Sequence, residues 1–402
     1  SIQTAIKKIK TVLGVDMNHS YQTRSVNRTH ILKPLSLVVA LSLSACGSDP
    51  KDEVLELIEP SPAPVETIIG EALTLDSVKE HINTNEPLSF YVDVETAAPT
   101  LLISLFSGIE NENLGDPDIY VRYESTATTG ENGEFDCVSY NASDYNETCI
   151  IDDIQPGRYH IVVDANSDKP TVDASILATA SLFQHSLLCN ESVRIRSQNL
   201  TATQVQEACE IVTETKQKFD TVLGANIAPE FGIPVDNDLN EVTNINIFSS
   251  LSNYAAWAEH LFDTSNSSGI YFETSPTEWW HDSTILTFNA LEWSGGRNVI
   301  RSLSHEYIHA LDARYNKEGA YKSDMAWWSE GLAEYIGTFY QKQYQSIVTA
   351  NEDTTYTLQQ IFDGESNSYS WGKLAVAFLI ETQPARVTSM LTEMRAGNWE
   401  VF

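Results

Sequence analysis

A short motif in the C-terminal half of the chain has the residue types and the spacing of a metal site. His305 and His309 enclose Glu306 in the sequence H-E-Y-I-H. Residues four apart share one face of a helix, so both imidazoles can point at one atom. Two neutral imidazoles suit Zn²⁺, and a third protein ligand leaves the fourth position open to water. Glu306 lies beside the ligands and is the predicted general base.

A second segment, which reads W-W-S-E-G-L-A-E-Y, is predicted to be a helix that completes this site. Glu330 is the predicted third zinc ligand. Glu334 lies on the same face and is predicted to accept a hydrogen bond from the outer nitrogen of a ligating histidine. A solvated helix face is the usual fate of two isolated glutamates four apart, but the neighbouring H-E-x-x-H favours the metal site. Zinc, water and a carboxylate base together predict hydrolysis of an amide bond.

Several predicted elements have to position these residues. We expect a catalytic helix over residues 297–314, because Val299, Ile300, Leu303 and Ile308 are apolar on its flanks. If one of the predicted strands lies at the edge of its sheet, an extended peptide substrate can pair with it. The predicted strands are Ile245–Ser249, Gly269–Glu273 and Thr284–Asn289, and the other predicted helices are Thr203–Val222, Tyr254–Phe262, Thr357–Ile361, Lys373–Glu381 and Val387–Gly397.

The sequence around both motifs carries a longer resemblance. It includes H-E-Y-I-H-A-L-D-A-R-Y and W-W-S-E-G-L-A-E-Y-I-G, with G-I-Y-F-E and Glu292-Trp293 upstream and Y-S-W-G-K-L-A-V and R-A-G-N-W downstream. Together these segments resemble the microbial collagenase family of zinc metallopeptidases over residues 185–402. The resemblance implies an α+β gluzincin-type, thermolysin-like peptidase domain with a mostly helical C-terminal part.

The resemblance also implies roles for individual residues. His305, His309 and Glu330 match the zinc ligands, and Glu306 matches the general base. Tyr369 matches a tyrosine that steadies the tetrahedral intermediate, and Trp371 and Tyr340 compete for that role. Some members of the family bind Ca²⁺ near the catalytic helix. Glu292 is the candidate calcium ligand in this chain.

Two other functions fit parts of the same sequence. Aminopeptidases of another H-E-x-x-H group carry G-x-M-E-N upstream, and the counterpart here, Gly269–Glu273, lacks Met-Glu-Asn. A non-catalytic surface-binding lipoprotein would have no use for Glu306. The sequence therefore favours an endopeptidase acting on protein or peptide substrates such as collagen or gelatin. Between Cys46 and residue 185 there is no room for a large collagen-gripping domain, so we expect unfolded, gelatin-like substrates.

The N-terminal region has the layout of an export signal. Residues 1–16 precede the first methionine and are predicted to be a non-native extension. Residues 17–46 contain basic residues, an apolar run too short to span a bilayer, and the sequence L-S-A-C. That ending resembles a bacterial lipobox, which implies cleavage before Cys46 and lipidation of its thiol. A plain secretion signal with an incidental cysteine is the alternative.

Two further segments are predicted between the signal and the peptidase part. Residues 47–69 are polar and proline-rich and read as a tether. Residues 70–182 read as an all-β sandwich, because runs at Leu88–Val94, Leu101–Phe106, Asp118–Tyr123 and Tyr159–Val163 alternate between turn clusters. They resemble the pre-peptidase C-terminal domain of secreted peptidases. That resemblance implies a spacer or an accessory substrate contact.

Four cysteines remain if Cys46 is lipidated, and they fall into two close pairs. In an oxidising compartment we expect Cys137 to pair with Cys149 and Cys189 with Cys209, although four cysteines allow three pairings. A second zinc site is the competing interpretation, and it is disfavoured because neither pair has C-x-x-C spacing.

The overall charge of the chain excludes some classes of binding partner. The 402 residues carry a formal net charge of −32, which argues against nucleic acid and against anionic membrane surfaces. We expect a monomer at the bacterial cell envelope, either an outer-membrane lipoprotein or a secreted protein. Membrane attachment would come from the lipid anchor alone. The chain ends at Phe402 without a closing element, so we expect the natural protein to continue.

Overall fold

A computed structural model describes residues 70–398 and the backbone of residues 24–25. Within 70–398 it leaves out 108–113, 143–144, 166–167, 225–226, 228–232, 237, 266–267, 273–275, 277–278, 281–282, 292–298, 316–324 and 338–355. The predicted tether and Cys46 therefore lie outside the described residues. From the predicted signal region the structure gives only β1 (Arg24–Ser25), which pairs with Cys137 and Val138.

Two antiparallel-rich sheets build the N-terminal part and confirm the all-β prediction for this stretch. Their strands are β2 (Glu71–Ala72), β3 (Ser77–Thr84), β4 (Leu88–Val94), β5 (Ala98–Ser107), β6 (Pro117–Tyr123), β7 (Cys137–Ser139), β8 (Glu147–Ile154), β9 (Gly157–Ala165) and β10 (Thr171–Thr179). One sheet has the order β1-β7-β6-β9-β4-β2, and the other has the order β3-β10-β5-β8. Their inner faces share one apolar core.

The next part of the chain forms one mixed five-stranded sheet. Its strands are β11 (His185–Asn190), β12 (Val193–Ser197), β13 (Thr243–Phe248), β14 (Ile270–Phe272) and β15 (Thr284–Phe288). They lie in the order β11-β12-β13-β15-β14. The three central strands are parallel, and β11 and β14 run antiparallel to their neighbours. Strand β14 thus lies at the edge of this sheet, two strands from β13.

Helices surround this sheet and dominate the C-terminal part. They are α1 (Ala202–Phe219), which continues as a π-helical turn (Asp220–Gly224), α2 (Leu251–Phe262), α3 (Leu303–Ala313), α4 (Ala326–Gly337), α5 (Leu358–Phe362), α6 (Ser370–Thr382) and α7 (Pro384–Ala396). Helix α1 begins at a capping box in which Thr201 and Gln204 bond each other's backbone N–H groups. After residue 303 the described elements are all helical, as expected.

The helix that carries the H-E-x-x-H motif begins later than predicted. We expected it to span 297–314, but α3 begins at Leu303, and Val299 and Ile300 do not belong to it. The Val299 carbonyl accepts from the Ala290 N–H, and Ile300 forms an isolated bridge with Asn289. These backbone groups are bound to the end of β15, so they cannot also form helical hydrogen bonds.

The β-sandwich packs directly against the five-stranded sheet. Strand β5 is buried on both faces: Leu101 and Ile103 point into the sandwich core, while Leu102 and Phe106 join a second apolar cluster with α2. That second cluster also contains Phe248 of β13. The two parts therefore share an apolar core, and the role of the sandwich as a spacer or an accessory substrate contact stays a prediction.

Buried charges cross the same interface. Asp152 on β8 accepts two hydrogen bonds from Arg196 on β12, at 2.9 and 2.7 Å, and Arg194 lies 3.4 Å away. Burial alone would raise the pKa of Asp152, but the two arginines outweigh it and lower that pKa. Asn146 also crosses the interface and donates to the Asp263 carboxylate at 2.8 and 2.7 Å.

Both expected disulfides are present. Cys137–Cys149 joins β7 to β8, and Cys189–Cys209 joins β11 to α1. Each therefore closes a local loop within one part of the chain and does not link the two parts. Across the described stretches, no helix has the length and apolar character needed to cross a membrane.

Candidate metal centre

Two helices in close contact present the predicted ligands. Helix α3 carries His305, Glu306 and His309, and α4 carries Glu330 and Glu334. The backbones approach closely where α4 ends, because a Cβ on Gly337 would lie 2.9 Å from the Ser304 carbonyl oxygen. This close approach requires glycine and turns the acidic face of α4 toward the histidines.

The predicted ligand atoms converge on one point. His305 Nε2 lies 3.1 Å from His309 Nε2 and 3.1 Å from Glu330 Oε2, and His309 Nε2 lies 3.6 Å from the same oxygen. Three ligands about 2.1 Å from a tetrahedral metal ion lie about 3.4 Å from each other. The spacing and the donor set therefore fit a metal ion. Within the described part of the chain, these three residues are the one cluster of this kind.

Glu334 contacts the ring nitrogen of His305 that faces away from the other predicted ligands. Its Oε1 lies 3.2 Å from His305 Nδ1, on the side of the ring away from the other ligands. A carboxylate there orients the imidazole and leaves Nε2 facing the centre. Burial alone would lower the pKa of His305, but Glu330 and Glu334 raise it to about 10. For Glu330, burial is outweighed by the two histidines, and its pKa is lowered.

The predicted base is almost completely buried. Glu306 is 7% exposed, and burial raises its pKa, although His309 and His305 act in the opposite direction. A Cβ on Gly269, just before β14, would lie 3.4 Å from Glu306 Oε1. Tyr271 of β14 is stacked on His309 with the ring centroids 6.5 Å apart. The edge strand thus borders both the base and a ligand.

Tyr369 lies over the ligand helix. Its ring stacks on His305 at 5.9 Å with planes 20° apart, and 49% of the residue is exposed. Burial and the nearby Glu330 raise its pKa to about 12, so the hydroxyl keeps its proton at neutral pH. Helix α6 reaches this position because Gly372 touches α4: a Cβ there would lie 2.5 Å from the Trp327 carbonyl oxygen.

The two competitors for the role of Tyr369 differ. Trp371 packs against the apolar core and makes an edge contact with Tyr356 at 5.3 Å, so its ring is used in packing. Tyr340 lies outside the described residues, as does Glu292, the candidate calcium ligand.

Three residues near the centre were not predicted from the sequence. Asp312, one turn beyond His309 on α3, is buried, and Trp328 Nε1 lies 3.5 Å from its Oδ1. Burial raises the pKa of Asp312 to about 7. Lys373 on α6 is 5% exposed, burial lowers its pKa, and Glu334 acts in the opposite direction. The i, i+3 spacing from His309 is a signal for Asp312, whereas no local pattern indicates Lys373 or Tyr271.

Comparison with known sequences identifies related proteins. A model of the collagenase family matches residues 163–402. A microbial collagenase of Vibrio alginolyticus is 32% identical over 221 residues, which cover 52% of this chain and 26% of the relative. A microbial collagenase of Vibrio parahaemolyticus is 34% identical over 223 residues, with the same coverage of 52% and 26%. The chain thus spans about a quarter of the length of these relatives.

Comparison with solved structures gives only weak likenesses. The pre-peptidase C-terminal domain of a collagenase from Bacillus anthracis matches 28% of this chain and 98% of its own length, at 14% identity and a TM-score of 0.17. Native yeast LTA4 hydrolase matches 82% of this chain and 61% of its own, at 7% identity and a TM-score of 0.33. Such TM-scores do not establish a shared fold.

Proposed function

Since the chain belongs to the collagenase family of metallopeptidases, we propose that it is a zinc-dependent endopeptidase whose centre is His305, His309 and Glu330. One observation carries this proposal: three ligand atoms at tetrahedral spacing lie beside a buried glutamate on the same helix. Two imidazoles and one carboxylate form a donor set suited to zinc with an open fourth position. Zinc held by His305, His309 and Glu330 would polarise the scissile carbonyl and lower the pKa of a water molecule.

The residues of the chain then supply proton transfer and orientation. Glu306 accepts a proton from the attacking water and passes it to the leaving nitrogen. Its burial supports this role, because a raised pKa brings a carboxyl group closer to the pH at which it both accepts and releases a proton. Glu334 orients His305, and the protonated hydroxyl of Tyr369 donates a hydrogen bond to the oxygen that becomes negative during attack.

Strand β14, the outermost described strand of the five-stranded sheet on this side, is the proposed binding site for the substrate backbone. An extended peptide can add to an exposed sheet edge through main-chain hydrogen bonds. Gly269 and Tyr271 border Glu306 and His309, so a peptide along β14 would pass close to the metal centre. Because this edge needs no free amino terminus, we propose internal cleavage, in contrast to an aminopeptidase.

The proposed substrates are collagen-related proteins in an unfolded form, such as gelatin. The relatives are named microbial collagenases, and the chain spans about a quarter of their length. A sheet edge that pairs with one extended peptide suits a single unwound chain better than a triple helix.

We further propose that Cys46 carries a lipid that anchors the protein at the bacterial cell envelope. The sequence L-S-A-C supports this proposal. Labelling with a radioactive fatty acid should mark the full chain, and Cys46→Ala should abolish the label. Equal labelling of both proteins would contradict lipidation at this residue.

The proposed activity is tested by hydrolysis of gelatin and of an amino-terminally blocked peptide, with zinc measured on the same sample. We expect one zinc per chain, cleavage of both substrates and inhibition by a chelator. Glu330→Ala should lose zinc and activity together. Zinc without cleavage would contradict the proposed function, and cleavage of only unblocked peptides would identify an aminopeptidase.

A further inference from the structure

An aromatic surface lies where the β-sandwich meets the β14–β15 connection. Tyr140 follows β7, and Trp279 and Trp280 belong to the segment between β14 and β15. The ring centroids of Tyr140 lie 5.7 Å from each tryptophan, and the two tryptophans lie 5.5 Å apart. Tyr140 is 41% exposed, and both tryptophans are partly exposed. We name these three residues the aromatic surface.

This surface is fixed in place by the parts of the chain that form it. Trp279 packs against the small apolar cluster of the sandwich and lies 6.2 Å from Phe135. The Asp152–Arg196 pair and the shared core hold the sandwich against the five-stranded sheet. The rings are therefore preorganised, which lowers the entropic cost of binding a ligand.

The aromatic surface includes two residues of the connection that follows the proposed substrate strand, β14. Strand β14 begins beside Glu306 and ends at Phe272, and the segment that follows it carries Trp279 and Trp280. Because β14 pairs antiparallel with β15, with Phe272 opposite Thr284, the connection that carries both tryptophans joins β14 at the end away from Gly269. The aromatic rings are thus placed to contact a substrate several residues away from the bond that is cleaved.

We propose that the aromatic surface binds an extended, proline-rich segment of the protein substrate. Proline-rich segments adopt polyproline II, which is extended before binding and docks on surfaces lined by aromatic rings. The backbone of that helix has no internal hydrogen bonds, so its carbonyls accept from side-chain donors. The Tyr140 hydroxyl is such a donor. Nearby Asp118, together with burial, raises the pKa of Tyr140 and keeps that proton in place.

The inference deepens the proposed function and rests on it for the identity of the substrate. A collagen-derived chain is rich in proline, whereas an average peptide is not. Tyr140 and Trp280 would therefore select proline-rich substrates without touching the reacting atoms. Their loss should raise KM for a long proline-rich substrate and leave kcat unchanged, because the contact is equally strong in the ground and transition states.

The test is direct binding of a proline decapeptide to the full chain, measured by calorimetry. The background is Glu306→Gln, so that no hydrolysis interferes. We expect Tyr140→Ser combined with Trp280→Ser to weaken binding at least tenfold, and Tyr140→Phe to have a smaller effect. Phe378→Ser, which alters an aromatic residue of similar exposure (45%) on α6, should leave the affinity unchanged. Circular dichroism identifies any variant that fails to fold.

A kinetic experiment separates this inference from the proposed function. In the wild-type background, the double serine variant should raise KM for gelatin about tenfold and leave hydrolysis of a short proline-free peptide unchanged. Unchanged gelatin kinetics, or equal decapeptide affinity in all variants, would overturn the aromatic surface as a substrate site. Decapeptide binding without any hydrolysis would instead contradict the proposed function and leave the surface as a binding site.

Discussion

Two buried carboxylates in this molecule have opposite electrostatic surroundings. Asp152, at the interface between the β-sandwich and the five-stranded sheet, is held by Arg196 and Arg194, and its pKa is lowered. Glu306, beside the candidate metal centre, is equally enclosed, but burial raises its pKa more than His309, His305 and Arg301 lower it, and none of the described arginines forms an ion pair with it.

The difference matches two roles: Asp152 joins two parts of the fold, and Glu306 is the proposed proton acceptor. A charge that only holds two elements together is neutralised by a partner, because an unpaired buried charge is costly. A carboxylate that has to accept and release a proton must not be fixed in one protonation state by a cation. Each carboxylate should therefore fail in its own way when it is changed.

The largest effect is expected at the metal centre. Glu306→Gln should lower the rate of peptide hydrolysis by about 10²- to 10⁴-fold, because the amide cannot accept the proton. Zinc content and the urea midpoint should stay close to those of the wild type. A variant that keeps zinc and full activity would contradict the role of Glu306.

The interface carboxylate should show the reverse behaviour. Asp152→Ala leaves two arginines without their buried partner and should lower the free energy of unfolding by about 3–5 kcal/mol, as measured by urea denaturation. The matched control is Asp93→Ala, which breaks an exposed pair with Arg158 and should cost about 1 kcal/mol or less. An equal decrease in the free energy of unfolding in both variants would show that the buried interface pair stabilises the fold no more than the exposed pair does.

A smaller effect is expected one step away from the metal. Glu334→Ala removes the carboxylate that faces His305 Nδ1 and should weaken zinc affinity about 10- to 100-fold, as measured by competition with a chelator. Glu381→Ala, on the neighbouring helix, is the control, because its carboxylate contacts the Tyr335 hydroxyl and not a ligand. Equal zinc affinity in the two variants would remove Glu334 from the metal site.

The smallest effect concerns a second acid at the interface. Burial raises the pKa of Asp263 from its ordinary value of 3.8 to about 7. The folded chain therefore binds a proton at this carboxyl group more tightly than the unfolded chain does. Its contribution to stability is therefore complete only below about pH 4, decreases as the pH rises towards 7, and is lost above pH 7. Between pH 6 and pH 8 the loss should be about 1 kcal/mol.

Comparison with Asp263→Asn isolates this contribution. The asparagine does not titrate, so the difference in urea midpoint between the variant and the wild type should change from pH 6 to pH 8. Asp152, whose pKa is lowered, should contribute in the opposite direction, and only at pH values below its ordinary pKa. A difference that stays constant with pH would contradict the raised pKa of Asp263.

Local spacing was sufficient to predict three residues that the structure brings together, His305, His309 and Glu330, and much of the secondary structure. The i, i+4 histidines and the second helix with Glu330 follow from helical periodicity, which depends only on neighbouring residues. The strand Leu88–Val94 was predicted with the bounds of β4, because alternation of apolar residues is also a local signal. Both disulfides were predicted because each joins cysteines that are close in sequence.

Contacts between distant segments were decided only by the tertiary structure. Asp152 meets Arg196 across 44 residues, and Tyr140 meets Trp280 across the predicted boundary between the β-sandwich and the peptidase part. The start of α3 shifted to Leu303 because the preceding backbone bonds to β15, which periodicity cannot reveal. Sequence patterns record which face of an element is apolar, whereas the partner of that face depends on how whole sheets and helices pack.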